Sequence, residues 1–179
     1  MKIISILAIL ILLTTSINLA ADFGLKQHEQ NGDFIQIALP ASVVCLNLWN
    51  KDQDGMNRFY YAFGSTLAIT HLFKIIIPEK RPDSNAMNSY ISGHTSAAFS
   101  GATLIYKQYG WKFGLPALAA ASYVGWSRVA SRRHHEGDVY RGAALGLGVT
   151  MLLSSKYKHF EMHPALDSRQ YGLQVNYKF

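Results

Sequence analysis

Three short clusters in the middle of the chain hold residue types that helix packing does not require. The first is Lys74, then six residues, then Arg81-Pro82. The second is Ser92-Gly93-His94, and the third is Ser127-Arg128, five residues, His134, three residues, Asp138. Lys74, Arg81 and Arg128 supply three permanent cations, more than an apolar core accepts unless an anion is brought to them. Arginine offers a planar fork that matches two phosphate oxygens, and lysine a mobile point charge. Ser92 and Gly93 stand just ahead of a helix expected from about His94, where free N–H groups and the helix dipole favour an anion. Gly93 has no side chain to block that approach. Together these groups describe a cradle for a tetrahedral oxyanion.

Two histidines add reactivity. A neutral imidazole can attack phosphorus, and a second, protonated one can give a proton to the departing oxygen. Asp138 lies four residues after His134, so on a helical turn it reaches one ring nitrogen, fixes the tautomer and frees the other nitrogen to attack. His135, three residues before Asp138, competes for that role on spacing alone. Taken singly, Arg132 to His135 also reads as a solvated basic turn, and Lys74 with Arg81 as a positive flank beside a helix. The three clusters in this order are poorly explained that way.

With these residues the chain resembles the type 2 phosphatidic acid phosphatase superfamily, which also contains bacterial acid phosphatases and vanadium haloperoxidases. The resemblance covers Lys74 to Asp138 by motif and extends to the remaining chain by helix order. It selects His134 over His135, since only His134 satisfies both spacings. It implies that His134 is the nucleophile that forms a phosphohistidine, that Asp138 orients it, and that His94 is acid for the leaving alcohol and base for the incoming water. It implies further that Lys74, Arg81, Ser92, the Gly93 backbone and Arg128 hold the phosphoryl oxygens, and that neither metal nor cofactor is needed. One departure is Ile91, where the family often has Pro; a fixed φ is lost there, but no reacting group.

The elements that must position these groups read as helices. Gly32-Asp33 is a plausible N-cap for a segment from Phe34 to Trp49, and Lys51 to Gly55 is a polar turn before a segment from about Asn57 to Ile77, which Pro78 stops. Three more segments follow, near His94–Tyr109, Phe113–Ala130 and Glu136–Ser155, with Gly110-Trp111-Lys112 as a short connection. The expected fold is therefore an all-α bundle of about five helices. Small residues such as Gly142 and Gly146, and the run Ala119 to Ser122, allow close helix approach, in a membrane or in a tight soluble bundle. The tail alternates Tyr171, Leu173, Val175, Tyr177 and Phe179 with polar residues, the period of a strand or extended arm.

Length and composition bound the rest. The 179 residues have room for one domain, expected over 22–179, and with charged residues at 16% and hydrophobic ones at 49% the chain is not intrinsically disordered. The mean hydropathy of +0.05 is low for lipid-facing helices and high for a cytosolic domain. The formal charge is +6, and nearly all of the excess lies between Lys74 and Arg141, where nine basic residues face four acidic ones. Such a cluster suits an anionic partner. Residues 1–21, with Lys2 ahead of an apolar stretch from Ile3 to Leu13 broken only by Ser5, read as a signal peptide or an uncleaved anchor. Export to the periplasm, or to the periplasmic face of a bacterial inner membrane, removes nucleic acid as a partner, and no obligate protein partner is expected. The lone Cys45 excludes an internal disulfide and is expected to be a small buried hydrophobe. The expected activity is metal-independent hydrolysis of a phosphomonoester or diphosphate. The substrate is expected to be a lipid such as phosphatidic acid, phosphatidylglycerol phosphate, a prenyl diphosphate or a lipid A phosphate. A vanadate-dependent haloperoxidase, a soluble periplasmic acid phosphatase and a non-catalytic lipid-binding scaffold are the alternatives.

Overall fold

The computed structural model describes the backbone of residues 24–156, 160–167 and 170–177, and the side chains of residues 24 and 26–154. The expected signal segment, residues 1–21, lies outside them. Among the described residues five helices follow one another: α1 (Leu25–Asn50), α2 (Gln53–Ile76), α3 (Gly93–Tyr109), α4 (Trp111–Ala130) and α5 (Glu136–Lys156). The all-α bundle expected from sequence is the observed architecture.

The helix ends are set by local chemistry. Lys51 adopts a left-handed φ of 52° that ends α1, and Asp52 then caps α2 by accepting the Gly55 N–H at 2.8 Å. Two residues thus reverse the chain. Pro78 follows the end of α2 as expected. Between α3 and α4 the connection is Gly110 alone, whose φ of 81° suits a residue without Cβ. Its N–H caps α3 on the Tyr106 carbonyl, and α4 starts at the next residue.

One boundary differs from expectation. Gly32 and Asp33 do not cap a helix but lie inside α1, which begins at Leu25. The stretch from Leu25 to Gly32 is polar, and it is helical here because it packs against the end of α4, which local capping preference does not register. Cys45 is likewise exposed, since the inward face of α1 is formed by Ile35, Leu39, Val43 and Leu46.

Helix α3 is the centre of the bundle, packed by all four others. Its inward residues are small: Ala97, Ala98, Ser100, Gly101 and Ala102 are all buried. A Cβ on Gly101 would stand 2.7 Å from Pro40 N of α1, and one on Gly146 would stand 2.5 Å from the Ser96 carbonyl oxygen. These glycines bring whole backbones together. The apolar core runs through Leu39, Val43, Ala98, Leu104, Ala121 and Val124.

After the bundle, β1 (Phe160–Asp167) and β2 (Gln170–Tyr177) pair antiparallel, with Phe160 opposite Tyr177 and Asp167 opposite Gln170. The expected alternating strand is therefore one arm of a hairpin, up to Tyr177.

Candidate active site

The three clusters meet at one end of the bundle, because each falls at a helix terminus that points the same way. Lys74 is in the last turn of α2, Ser92 caps α3, Arg128 is in the last turn of α4, and Asp138 is in the first turn of α5. The reversal between α4 and α5 carries His134. Arg132 there has φ 57°, and the N–H groups of Arg133 and His134 both turn back to the Arg128 carbonyl, at 2.9 and 3.2 Å. That tight turn sets the imidazole beside the start of α5.

His134 and Asp138 form the tightest pair. Both are buried, and His134 Nδ1 lies 3.0 Å from Asp138 Oδ2. A proton on Nδ1 is donated to the carboxylate, which leaves the Nε2 lone pair free. Asp138 also accepts the Ser89 hydroxyl at 2.5 Å, the His135 N–H at 3.0 Å and Arg141 Nη2 at 2.7 Å. Burial opposes its ionisation, but the hydrogen bonds from Ser89, His134 and the His135 backbone prevail and hold its pKa below the usual carboxylate value. For His134, burial and the charges of Arg81 and Lys74 outweigh the pull of Asp138, so its pKa is lowered. A neutral imidazole with an unprotonated Nε2 is the result at neutral pH.

His94, in the first turn of α3, is half-buried and has its pKa lowered to about 4. Burial is the main cause, followed by the charge of Arg128; Asp33 acts in the opposite sense, and His134 and Lys74 lower it further. Lys74 is also depressed, by burial first and by Arg81 second, against the attraction of Asp138. Its ammonium reaches the start of α3, where a Cβ on Gly93 would lie 3.5 Å from Lys74 Nζ.

Ser92 is fully buried, and its hydroxyl oxygen accepts from the Thr95 hydroxyl at 2.9 Å and the Thr95 N–H at 3.4 Å. Its own N–H is held by the Asp138 carbonyl at 3.0 Å, which ties the start of α3 to α5. The N–H groups of Gly93 and His94, at the first two positions of α3, have no intrahelical acceptor and remain for an anion. Ile91 is buried, so hydrophobic packing fixes the approach to this turn. Arg81 is half-buried, with Nε on Asn88 Oδ1 at 2.7 Å. Arg128 is 2% exposed and donates to Asp33, the Glu29 carbonyl and Ser127. These contacts engage three of its five N–H donors.

The structure thus gathers Lys74, Arg81, Ser92, Gly93, His94, Arg128, His134 and Asp138 at one place. His135 is exposed; its backbone N–H donates to Asp138 at 3.0 Å, and its Nδ1 lies 3.5 Å from the same carboxylate oxygen, farther than His134 Nδ1. Several neighbours escaped the sequence clusters. Ser89 reaches both His134 and Asp138. Arg141 ties Asp138 to Glu79 and to the Tyr90 carbonyl. Its spacing of three residues from Asp138 was a usable signal. Asp33 and Glu29 arrive from α1, and nothing local marks them. Glu79, His135 and Asp138 could each direct a ligand atom at one point, within 4.8 Å of one another, but Arg141 already bonds both carboxylates there.

Comparison with known proteins agrees with this geometry. Residues 56–161 match the model of the PAP2 superfamily. A protein of Helicobacter pylori (strain J99) named "Lipid A 4'-phosphatase" is 34% identical over 169 residues, covering 84% of this chain and 85% of the relative. A protein of Porphyromonas gingivalis (strain ATCC 33277) named "Lipid A 1-phosphatase" is 44% identical over 70 residues, 37% of this chain and 16% of the relative. No solved structure matches. A family match over more than half of the chain coincides with the cation-ringed histidine pair, and the chain therefore belongs to the PAP2 superfamily, as a phosphoric ester hydrolase.

Proposed function

We propose that the protein is a metal-independent lipid phosphatase that removes a phosphate from a lipid A-type glycolipid through a phosphohistidine. The observation that carries this reading is the buried His134–Asp138 pair, which leaves Nε2 of His134 free, with Lys74 and Arg81 close enough to act on the ring. Nε2 attacks phosphorus as the bond from phosphorus to the lipid oxygen breaks, and His94 gives its proton to that oxygen. Water then attacks the phosphohistidine, its proton passes to His94, and the P–N bond breaks to release phosphate. The cations and the N–H groups at the start of α3 stabilise the charge that develops on the phosphoryl oxygens.

Protonation of His94 is tied to binding in this scheme. In the free site burial and neighbouring cations hold its pKa at about 4. A bound phosphate brings negative charge that raises it, so the acid is made where and when it is needed.

The lipid class is supported by both relatives' names and by the bundle's surface. Phe34, Trp49, Leu72, Ile75, Ile76 and Trp111 are exposed, and Ile75 and Ile76 adjoin Lys74 at the catalytic end. The helix Lys26–Asn50 is long and apolar enough to cross a membrane. Membrane association on the exported, periplasmic side follows if residues 1–21 act as a signal.

The test is phosphate release by purified protein from lipid A, phosphatidic acid, phosphatidylglycerol phosphate, a prenyl diphosphate and soluble monoesters, with and without detergent. Lipid A is expected to lose a single phosphate, and His134→Ala to lower that rate by at least about 10³-fold. Parental activity in His134→Ala would sink the mechanism, and preference for soluble esters without detergent would sink the lipid assignment.

A further inference from the structure

A second His–Asp pair lies outside every sequence cluster. Asp33 of α1 places one oxygen, Oδ1, 3.1 Å from His94 Nε2 and 2.7 Å from Arg128 Nη1. Helix α1 comes this near because residue 32 is glycine, where a Cβ would stand 2.7 Å from Arg128 Nη2. The charged and titratable groups that face His94 are Arg128 from α4, Lys74 from α2, His134 from the turn before α5, and Asp33 from α1. Asp33 is the acid in that set. Glu29, one turn earlier on α1, spends its carboxylate on Arg133 at 2.7 Å and only its backbone carbonyl on Arg128.

We propose that Asp33 is a positioning residue of the reaction: with Oδ1 held by Arg128 and paired with Nε2 of His94, it keeps the proton on that side of the imidazole and makes Nδ1 the atom that delivers the proton. The inference rests on the phosphatase mechanism above. It reverses the arrangement at His134, where the carboxylate holds Nδ1 and Nε2 is free. In the imidazolium both nitrogens carry hydrogen. The Nδ1 proton passes to the departing oxygen as the P–O bond breaks, the Nε2–H stays on Asp33, and the ring is left neutral to take a proton from water at Nδ1. Because Oδ1 also holds Arg128, the acid and the phosphate fork are kept in one register.

The experiment compares Asp33→Asn and Asp33→Glu with the parent on phenyl phosphate and p-nitrophenyl phosphate, using the purified full chain. A general acid matters most where the leaving oxygen is basic. Asp33→Asn is expected to lower kcat on phenyl phosphate by about 100-fold, and on p-nitrophenyl phosphate by no more than about fivefold. The basic limb of kcat/KM is expected at lower pH in Asp33→Asn, because loss of the negative charge makes the imidazolium easier to deprotonate. Asp33→Glu, which keeps the charge, should recover much of the loss on phenyl phosphate. Equal losses on the two esters with an unmoved basic limb would overturn the proposal, as would an unchanged kcat. If Asp33→Asn does not fold, the ester ratio of Asp33→Glu decides in the same way. Where aryl esters are poor substrates, the pH profile on lipid phosphate carries the decision. Failure of the underlying mechanism is seen separately, as undiminished phosphate release by His134→Ala.

Discussion

The Asp138 carboxylate takes four donors, from Ser89, His134, His135 and Arg141, and this concentration explains how a fully buried charge is tolerated. The histidines around it face the opposite problem, since burial and nearby cations favour their neutral forms. The sign of the resulting pH effect follows directly. An unfolded chain binds protons near pH 6.5 that folded His134 and His94 refuse, so stability falls as pH drops from about 6.5 toward the folded pKa of His94, about 4. The lowered pKa of Asp138 acts in the same direction at more acidic pH. A lower melting temperature at pH 5 than at pH 7.5 is expected, with a smaller difference in the His94→Gln/His134→Gln double variant. An equal difference in parent and variant would show that these two groups do not set the acid lability. At this scale the His134–Asp138 pair was legible from a spacing of four. The Asp33–Arg128 contact joins residues 95 apart in the chain, and no local pattern encodes that distance.

Among the elements, α3 shows what small residues accomplish. Gly142 and Gly146 of α5 sit against its backbone, and a Cβ at either would come within 2.7 Å of a carbonyl oxygen, Ser92 O or Ser96 O. Since Ser92 and Gly93 begin the turn proposed to bind the anion, pushing α5 away would disturb the site as well as the packing. Gly146→Ala and Gly142→Ala are therefore expected to destabilise by about 1–3 kcal/mol, and the second also to raise KM. Gly148, with nothing within 4 Å of its added Cβ, is the control. Gly148→Ala should be neutral or stabilising by up to about 1 kcal/mol, from helix propensity alone. Thermal denaturation of the three variants checks the ranking, and similar losses at 148 and 146 would contradict it. Five helix segments were legible from apolar runs, caps and Pro78. The start of α1 was not, because Gly32-Asp33 has the composition of a cap and serves instead as a close contact and an ion-pair partner.

Over the whole molecule, the described side chains include buried hydroxyls and exposed large apolar groups. Thr70, Ser96, Ser100 and Thr150 are buried and bonded in pairs, Thr70 to Ser96 at 2.9 Å and Ser100 to Thr150 at 2.8 Å, while Ile37, Leu48, Trp126 and Leu152 are exposed. Paired hydroxyls between helices, with large apolar side chains exposed outside, suit contact with lipid chains. After expression in bacteria, the protein is expected to stay in the membrane pellet through a high-salt wash and to be released by detergent. Release by salt alone would mean that only its positive charge holds it there. By itself the sequence determined the helical class, the cradle's residue types and a histidine within one helical turn of Asp138, because all of these are written in short-range spacing; the family resemblance singled out His134. Tertiary structure alone decided that the helix ends converge, that Asp33 and Ser89 join the site, and which faces of the helices are exposed. Those outcomes depend on how closely α1, α3 and α5 approach one another, a property of backbone contacts between residues far apart in the chain.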